Sequence, residues 1–151
     1  MRIGIISDTH GLLREEVLHG LERCDYIFHA GDICDGTTIS KLESIAPLFA
    51  VRGNNDIGKW AKDLPDEVRV ELDGKRFYMA HDLMTMDEAE EADFIICGHS
   101  HKFRIENLGD KWLVNPGSCG RRRFRLPLTW LVMELEEGEV YFYRQEIEEK
   151  A

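Results

Sequence analysis

The chain has 151 residues, 43% of them hydrophobic and 32% charged, with 13 Gly and 4 Pro, proportions that exclude a disordered, collagenous or coiled-coil chain and suit a single globular domain over residues 1–151. Nineteen basic residues against 29 acidic ones leave a formal net charge of -10, so broad binding to long nucleic acid is not expected. The first apolar run, Ile3 to Ile6, is too brief for a signal-peptide core or a membrane span, which points to a cytoplasmic chain without membrane contact.

Taken in chain order, the apolar runs Ile3 to Ile6, Tyr26 to Ala30 and Leu48 to Val51 mostly lack polar alternation and predict strands covered on both faces. Between them, Leu12, Leu13, Glu16, Val17, Gly20 and Leu21, then Ile39, Leu42 and Ile45, fit a 3.6-residue period and predict two helices. Strand and helix alternate, which implies a parallel α/β unit. Further on, Val68 to Leu72 and Arg76 to Ala80 flank Asp73-Gly74, a hairpin signal. The acidic segment Asp87 to Asp93 reads as a solvated helix. After the fifth apolar run, Phe94 to Cys97, short strands are expected at Phe103 to Asn107, Lys111 to Val114, Thr129 to Leu135 and Val140 to Arg144, with turns at Gly109-Asp110 and Glu137-Gly138. Cys24, Cys34, Cys97 and Cys119 form no Cys-x-x-Cys pair and read as reduced structural thiols.

The chemistry lies at the ends of the apolar runs. Asp8 and His10 follow the first, Asp32 the second, Asn54 the third, His81 the fourth, Phe77 to Ala80, and His99 with His101 the fifth. In α/β sheets, side chains just beyond the carboxyl ends of strands converge on one site. Glycine precedes Asp32, Asn54 and His99, as a crowded site with close backbone approach requires. Imidazole mixed with carboxylate and amide oxygen suits Mn²⁺, Fe²⁺, Zn²⁺, Ni²⁺ or Co²⁺ better than Mg²⁺ or Ca²⁺. Seven donors exceed one tetrahedral shell, and two ions roughly 3.5 to 4 Å apart with a shared carboxylate would use them all.

The ordered series Asp8-x-His10, Gly31-Asp32, Gly53-Asn54, His81, Gly98-His99-Ser-His101 and Asn115-Pro-Gly-Ser118 resembles the calcineurin-like metallophosphoesterases, and within them the small prokaryotic phosphodiesterase branch that shares its fold with a metal-poor retromer subunit. The resemblance implies a β-sandwich flanked by helices, an α/β/β/α arrangement. It implies one ion held by Asp8, His10, Asp32 and His101 and a second held by Asp32, Asn54, His81 and His99. Manganese is the first expectation, with nickel, iron, zinc or cobalt as alternatives. Asp32, Asn54 and His99 are the candidate catalytic residues. The implied activity is hydrolysis of a small phosphoester, a diester first, by a metal-bridging hydroxide. A phosphomonoesterase, a nuclease or a non-catalytic scaffold on the same fold are the rival readings, and a homo-oligomer is compatible with all of them.

Two positions depart from the family pattern. Asn55 stands where many members have a histidine, and an amide cannot protonate a leaving group near neutral pH. Asp82 stands where members often have glycine; its carboxylate would either disfavour dianionic monoesters or ligate a metal. Arg121, Arg122, Arg123 and Arg125 form the basic cluster of an acidic chain. Arg121, Arg122 and Arg123, with Asn55, are candidate substrate contacts, against the simpler reading of a solvated loop. His29 is a candidate for supporting the ligands, and His19 for surface or packing.

Overall fold

The computed structural model describes residues 1–87, 90–123 and 125–149. Strands β1 (Arg2–Ile6), β2 (Tyr26–His29) and β3 (Leu48–Ala50) run parallel. Helices α1 (Glu15–Leu21) and α2 (Gly36–Glu43) provide the two crossovers. The strand β9 (Leu128–Glu136) joins the free edge of β1 antiparallel, and β10 (Glu139–Ile147) joins β9, giving the order β10-β9-β1-β2-β3. A second sheet contains β4 (Glu67–Leu72), β5 (Lys75–Ala80), β6 (Phe94–Ile96), β7 (Phe103–Asn107) and β8 (Trp112–Pro116) in the order β4-β5-β6-β8-β7. Here β5, β6 and β8 are parallel to one another.

The two sheets face each other across one core. Ile3, Ile5, Phe28, Leu131 and Met133 of the first pack with Phe77, Met79, Phe94, Ile96 and Val114 of the second. Phe28, Phe77 and Phe94 stack in sequence at centroid separations of 5.3 and 5.0 Å. The outer face of the first sheet is covered by the helices through Val17, Leu21 and Leu42 against Ile6, Ile27 and Trp130. Over the second sheet, Met86 and Ala92 pack on Tyr78, Ile95 and Leu113. That covering comes from a 3-10 turn, Leu83–Thr85, and irregular chain.

Two differences from the sequence reading have physical causes. Helix α1 starts at Glu15 and not near Leu12, because the preceding backbone is committed elsewhere: the His10 and Gly11 amides donate to the Asp32 and Ile33 carbonyls. In the acidic segment, residues 87 and 90–93 are not helical, while Glu88 and Ala89 lie outside the described residues. Its charges neutralise the neighbouring strands: Glu90 pairs with Arg69 at 2.6 Å and Glu91 with Arg76 at 3.2 Å. The Asp93 carboxylate accepts from the Arg76 amide. The expected turns form at Asp73-Gly74 and Glu137-Gly138, all four residues at positive φ, as two-residue hairpins between right-twisted strands require.

In this topology the parallel strands of both sheets bring their carboxyl ends to one rim. The Asp8 amide donates to the Gly31 carbonyl, the Gly98 amide to His81, and the Cys119 amide to Ser7. Backbone bonds thus tie the residues that follow β1 to those after β2 and β8, and the residue that follows β5 to one after β6.

Candidate metal centre

On that rim the structure gathers two sets of donors, Asp8, His10 and His101 in one and Asp32, His81 and His99 in the other. They touch through Asp32, whose Oδ2 lies 3.6 Å from His10 Nε2 and 3.3 Å from His81 Nε2. Asp8 Oδ1 lies 3.4 Å from His101 Nε2 and 4.0 Å from His81 Nε2. Asn54 Oδ1 is 3.1 Å from His81 Nε2, and His99 Nδ1 is 3.2 Å from the same nitrogen. All seven side chains predicted as donors therefore lie in one cluster, with Asp32 central. Asp8 and Asp32 are buried, whereas Asn54 and His99 are exposed to a cleft.

The donor set fits divalent cations. Asp8 Oδ1 and His10 Nε2 are buried and have no hydrogen-bond partner among the described residues. The proton of His81 is placed on Nδ1 by the Ala30 carbonyl 2.7 Å away, which leaves the Nε2 lone pair facing the oxygens of Asp32 and Asn54. A nitrogen lone pair surrounded by oxygen acceptors is stabilised by a cation in the gap. Without one, a proton serves. Burial lowers the His81 pKa, but the hydrogen bond and charge of Asp32 and the charge of Asp8 outweigh it and raise the pKa above 6.5. Burial likewise pushes the carboxylates up, yet Asp8 is held well below the usual range by His10, His101 and Ser7. Asp32 is brought down to about 2 by His81 and Asn55.

The backbone is strained where it presents these groups. Asp8, His10, Asp32, His99 and His101 all have φ between 46° and 68°, a left-handed conformation uncommon for residues other than glycine. The glycines beside them are needed for close approach. A Cβ on Gly98 would come within 2.1 Å of Ser7 Oγ, and one on Gly53 within 2.2 Å of Asp32 Oδ1.

What fixes these loops was partly missed by the sequence reading. Asp56, 2% exposed, accepts backbone N–H bonds from Asp32, Ile33, Cys34 and Gly53 at 2.8 to 2.9 Å. It clamps the loop after β2 to the loop after β3. Its only sequence signal is a position two residues after Asn54. His29 lies fully buried; its Nδ1 accepts from the Gly31 amide, so its Nε2 carries the proton toward Thr9 Oγ1 at 3.0 Å. Asn115 donates to the Gly98 carbonyl and Ser118 to the Asp8 carbonyl, which makes the Asn115 to Ser118 turn a brace for two ligand loops.

The candidate substrate contacts are placed differently. The backbone amide and the side-chain Nδ2 of Asn55 each donate to the Asp32 carboxylate at 2.9 Å. Asn55 thus holds the central ligand. Arg121, Arg122 and Arg123 are exposed, and Arg122 lies 3.9 Å from Glu149. A cleft of about 800 Å³ opens beside Asn54, His81 and His99; its other wall is formed by Arg52, Asp66, Glu67, Arg69, Asp82 and Thr85 and not by the arginine loop. Asp82 stands in this wall, outside both donor sets, with Oδ1 accepting the Met84 amide at 3.0 Å.

Two tests follow from the supporting residues. Asp56→Asn replaces an acceptor oxygen by a donor among four backbone donors; it is expected to cost about 2–4 kcal/mol in urea denaturation and to weaken metal uptake by about 10–100-fold although it touches no ion. Burial lowers His29 from 6.5 to about 4. The unfolded chain therefore takes up a proton that the native one refuses, and stability present above pH 6.5 is lost as the pH falls toward 4, on the order of 3 kcal/mol in all. Urea midpoints measured from pH 7 to 4 should show a flatter acid limb for His29→Asn than for the wild type.

Comparison with known proteins identifies the family. The family model for the calcineurin-like phosphoesterase superfamily domain matches residues 1–138. A phosphodiesterase of Methanocaldococcus jannaschii is 31% identical over 140 residues, covering 79% of this chain and 84% of its own. A solved structure described as a novel archaeal phosphodiesterase is 26% identical and superposes with a TM-score of 0.77, covering 96% of this chain and all of that one. Vps29 of Entamoeba histolytica, solved in complex with Zn²⁺, shares the fold at 19% identity and a TM-score of 0.75, covering 97% of this chain and 99% of its own. With its sheets, donor series and family match in accord, the chain belongs to the calcineurin-like phosphoesterase superfamily.

Proposed function

We propose that the protein is a dinuclear metal-dependent phosphodiesterase of small substrates, and that residues 1–151 act as one catalytic domain. The observation that carries this reading is the clustering of seven donors around Asp32 with two unsatisfied buried ligand atoms among them. A scaffold has no physical need for such a cluster, and that favours hydrolysis over a Vps29-like structural role. Asp8, His10 and His101 would hold one ion and Asn54, His81 and His99 the other, with Asp32 shared. Mn²⁺ is the proposed native metal.

Such a pair supplies Lewis acidity and lowers the pKa of water, with a surplus positive charge to meet a phosphoester whose charge grows along the reaction. The chain's own residues set the geometry. Asp32 lies between the two sets because the Asp56 clamp fixes its backbone and Asn55 fixes its carboxylate. Asn54 and His99, exposed to the cleft, border the space where the phosphoryl group would lie. Asn55 is an amide and cannot act as a general acid near neutral pH, so the leaving group departs without a proton from this residue. No helix among the described residues is long and apolar enough to cross a membrane, and a small water-borne diester is the proposed substrate class; the proposed location is the cytoplasm.

Asp32→Asn should abolish turnover and reduce metal content measured by elemental analysis after reconstitution with Mn²⁺; near-normal activity with both ions bound overturns the reading. Because protons compete for His81, whose pKa is raised by Asp32 and Asp8, bound metal measured by elemental analysis should fall as the pH is lowered into the ordinary imidazole range, about 6.5. Aryl phosphodiesters with acidic leaving groups should be hydrolysed faster than alkyl diesters, giving a steep dependence of kcat/KM on leaving-group pKa.

A further inference from the structure

The cleft next to Asn54, His81 and His99 has a wall of mixed charge: two guanidiniums, Arg52 and Arg69, and three carboxylates, Asp66, Glu67 and Asp82. Four of these five charges are held in ion pairs. Arg52 pairs with Asp66 at 3.3 Å, and Arg69 with Glu67 at 3.0 Å. Arg69 is locked further by Glu90 at 2.6 Å and by stacking over the Tyr78 ring. Asp82 has no cation within ion-pairing distance among the described residues. Its Oδ1 accepts the Met84 amide and caps the 3-10 turn, which leaves its charge uncompensated.

The residue follows His81 directly in the chain and lines the same cavity as three of the donors. A phosphodiester brings one negative charge to that cavity. A phosphomonoester, with a second pKa near 6, brings about two at neutral pH. Repulsion from a fixed carboxylate in a partly exposed cleft grows with the substrate charge, so it acts on the difference between the two.

We propose that Asp82 is a specificity-determining residue: its unmatched carboxylate beside the donor cluster discriminates against doubly charged phosphoryl groups and so selects diesters. The inference rests on the phosphodiesterase reading for its chemistry, but its charge selection is measurable by binding alone. Asp82→Asn keeps an oxygen for the Met84 amide and removes the charge; Asp82→Ser keeps a capping oxygen in a second variant; Asp82→Glu restores the charge.

The test uses metal-reconstituted protein at pH 8, with metal content determined for each variant, p-nitrophenyl phosphate and bis-p-nitrophenyl phosphate as substrates, and phenylphosphonate and its monomethyl ester as calorimetric probes. Asp82→Asn should raise kcat/KM for the monoester and affinity for phenylphosphonate about tenfold, with changes below about threefold for the diester and the monomethyl ester. Asp82→Glu should keep the wild-type ratio, and added salt should narrow the difference between wild type and Asp82→Asn. Parallel changes for both charge types, or an unchanged ratio in Asp82→Asn and Asp82→Ser, overturn the proposal. If the wild type shows the charge preference in binding, and Asp82→Asn relieves it, while neither ester is turned over, charge selection stands and the phosphodiesterase reading falls.

Discussion

Two buried carboxylates kept ionised govern this structure. Asp8 is 0% and Asp32 2% exposed, and an isolated buried carboxylate is unstable enough to take up a proton or unfold its surroundings. Both stay charged because specific donors reach them. Ser7 Oγ and the His99 amide bond to Asp8, and the two nitrogens of Asn55 bond to Asp32. The surrounding imidazoles are placed where a cation completes the balance. Remove the donors and the charges become a destabilising load; keep them and the charges become a binding site.

This arrangement dictates the loops. To aim short side chains inward from strand ends, the backbone turns left-handed at Asp8, His10, Asp32, His99 and His101. Each such residue carries a conformational cost that neighbouring structure must over-determine. Asp56, His29, Asn115 and Ser118 perform that task by satisfying backbone groups of the ligand loops. Their bonds cross between β2 and β3, between β1 and β8, and between β6 and β8. The rim therefore behaves as one braced unit, although its parts come from distant stretches of chain.

Much of this was legible in the sequence because it is local. Apolar runs, a 3.6-residue period and Asp-Gly or Glu-Gly turns depend on near neighbours, and they marked the alternating strands and helices of the first half and the turns of both tight hairpins. The donors were legible because each stands at the end of an apolar run. Asp56 was not, since a carboxylate that accepts amides from a segment some two dozen residues earlier leaves no periodic trace. The direction of a side chain was equally hidden. Composition marks Arg121 to Arg125 as basic but not which way they face, and Asn55 as an amide but not that its backbone and side-chain nitrogens both donate to Asp32. The acidic run at residues 87–93 fits a solvated helix by charge alone; its partners Arg69 and Arg76 belong to strands β4 and β5, which local reading does not place beside it.

The position of β1 inside the first sheet bears on how the molecule forms. This strand leads directly to Asp8 and His10, and it is gripped on one side by β2 and on the other by β9, with the Met1 amino group bonded to the Leu135 carbonyl. Contacts that span most of a chain close late, after the entropy of the intervening loop has been lost. The first two candidate ligands are therefore fully braced only once a strand more than a hundred residues later has closed on β1, which couples the completion of the rim to long-range folding.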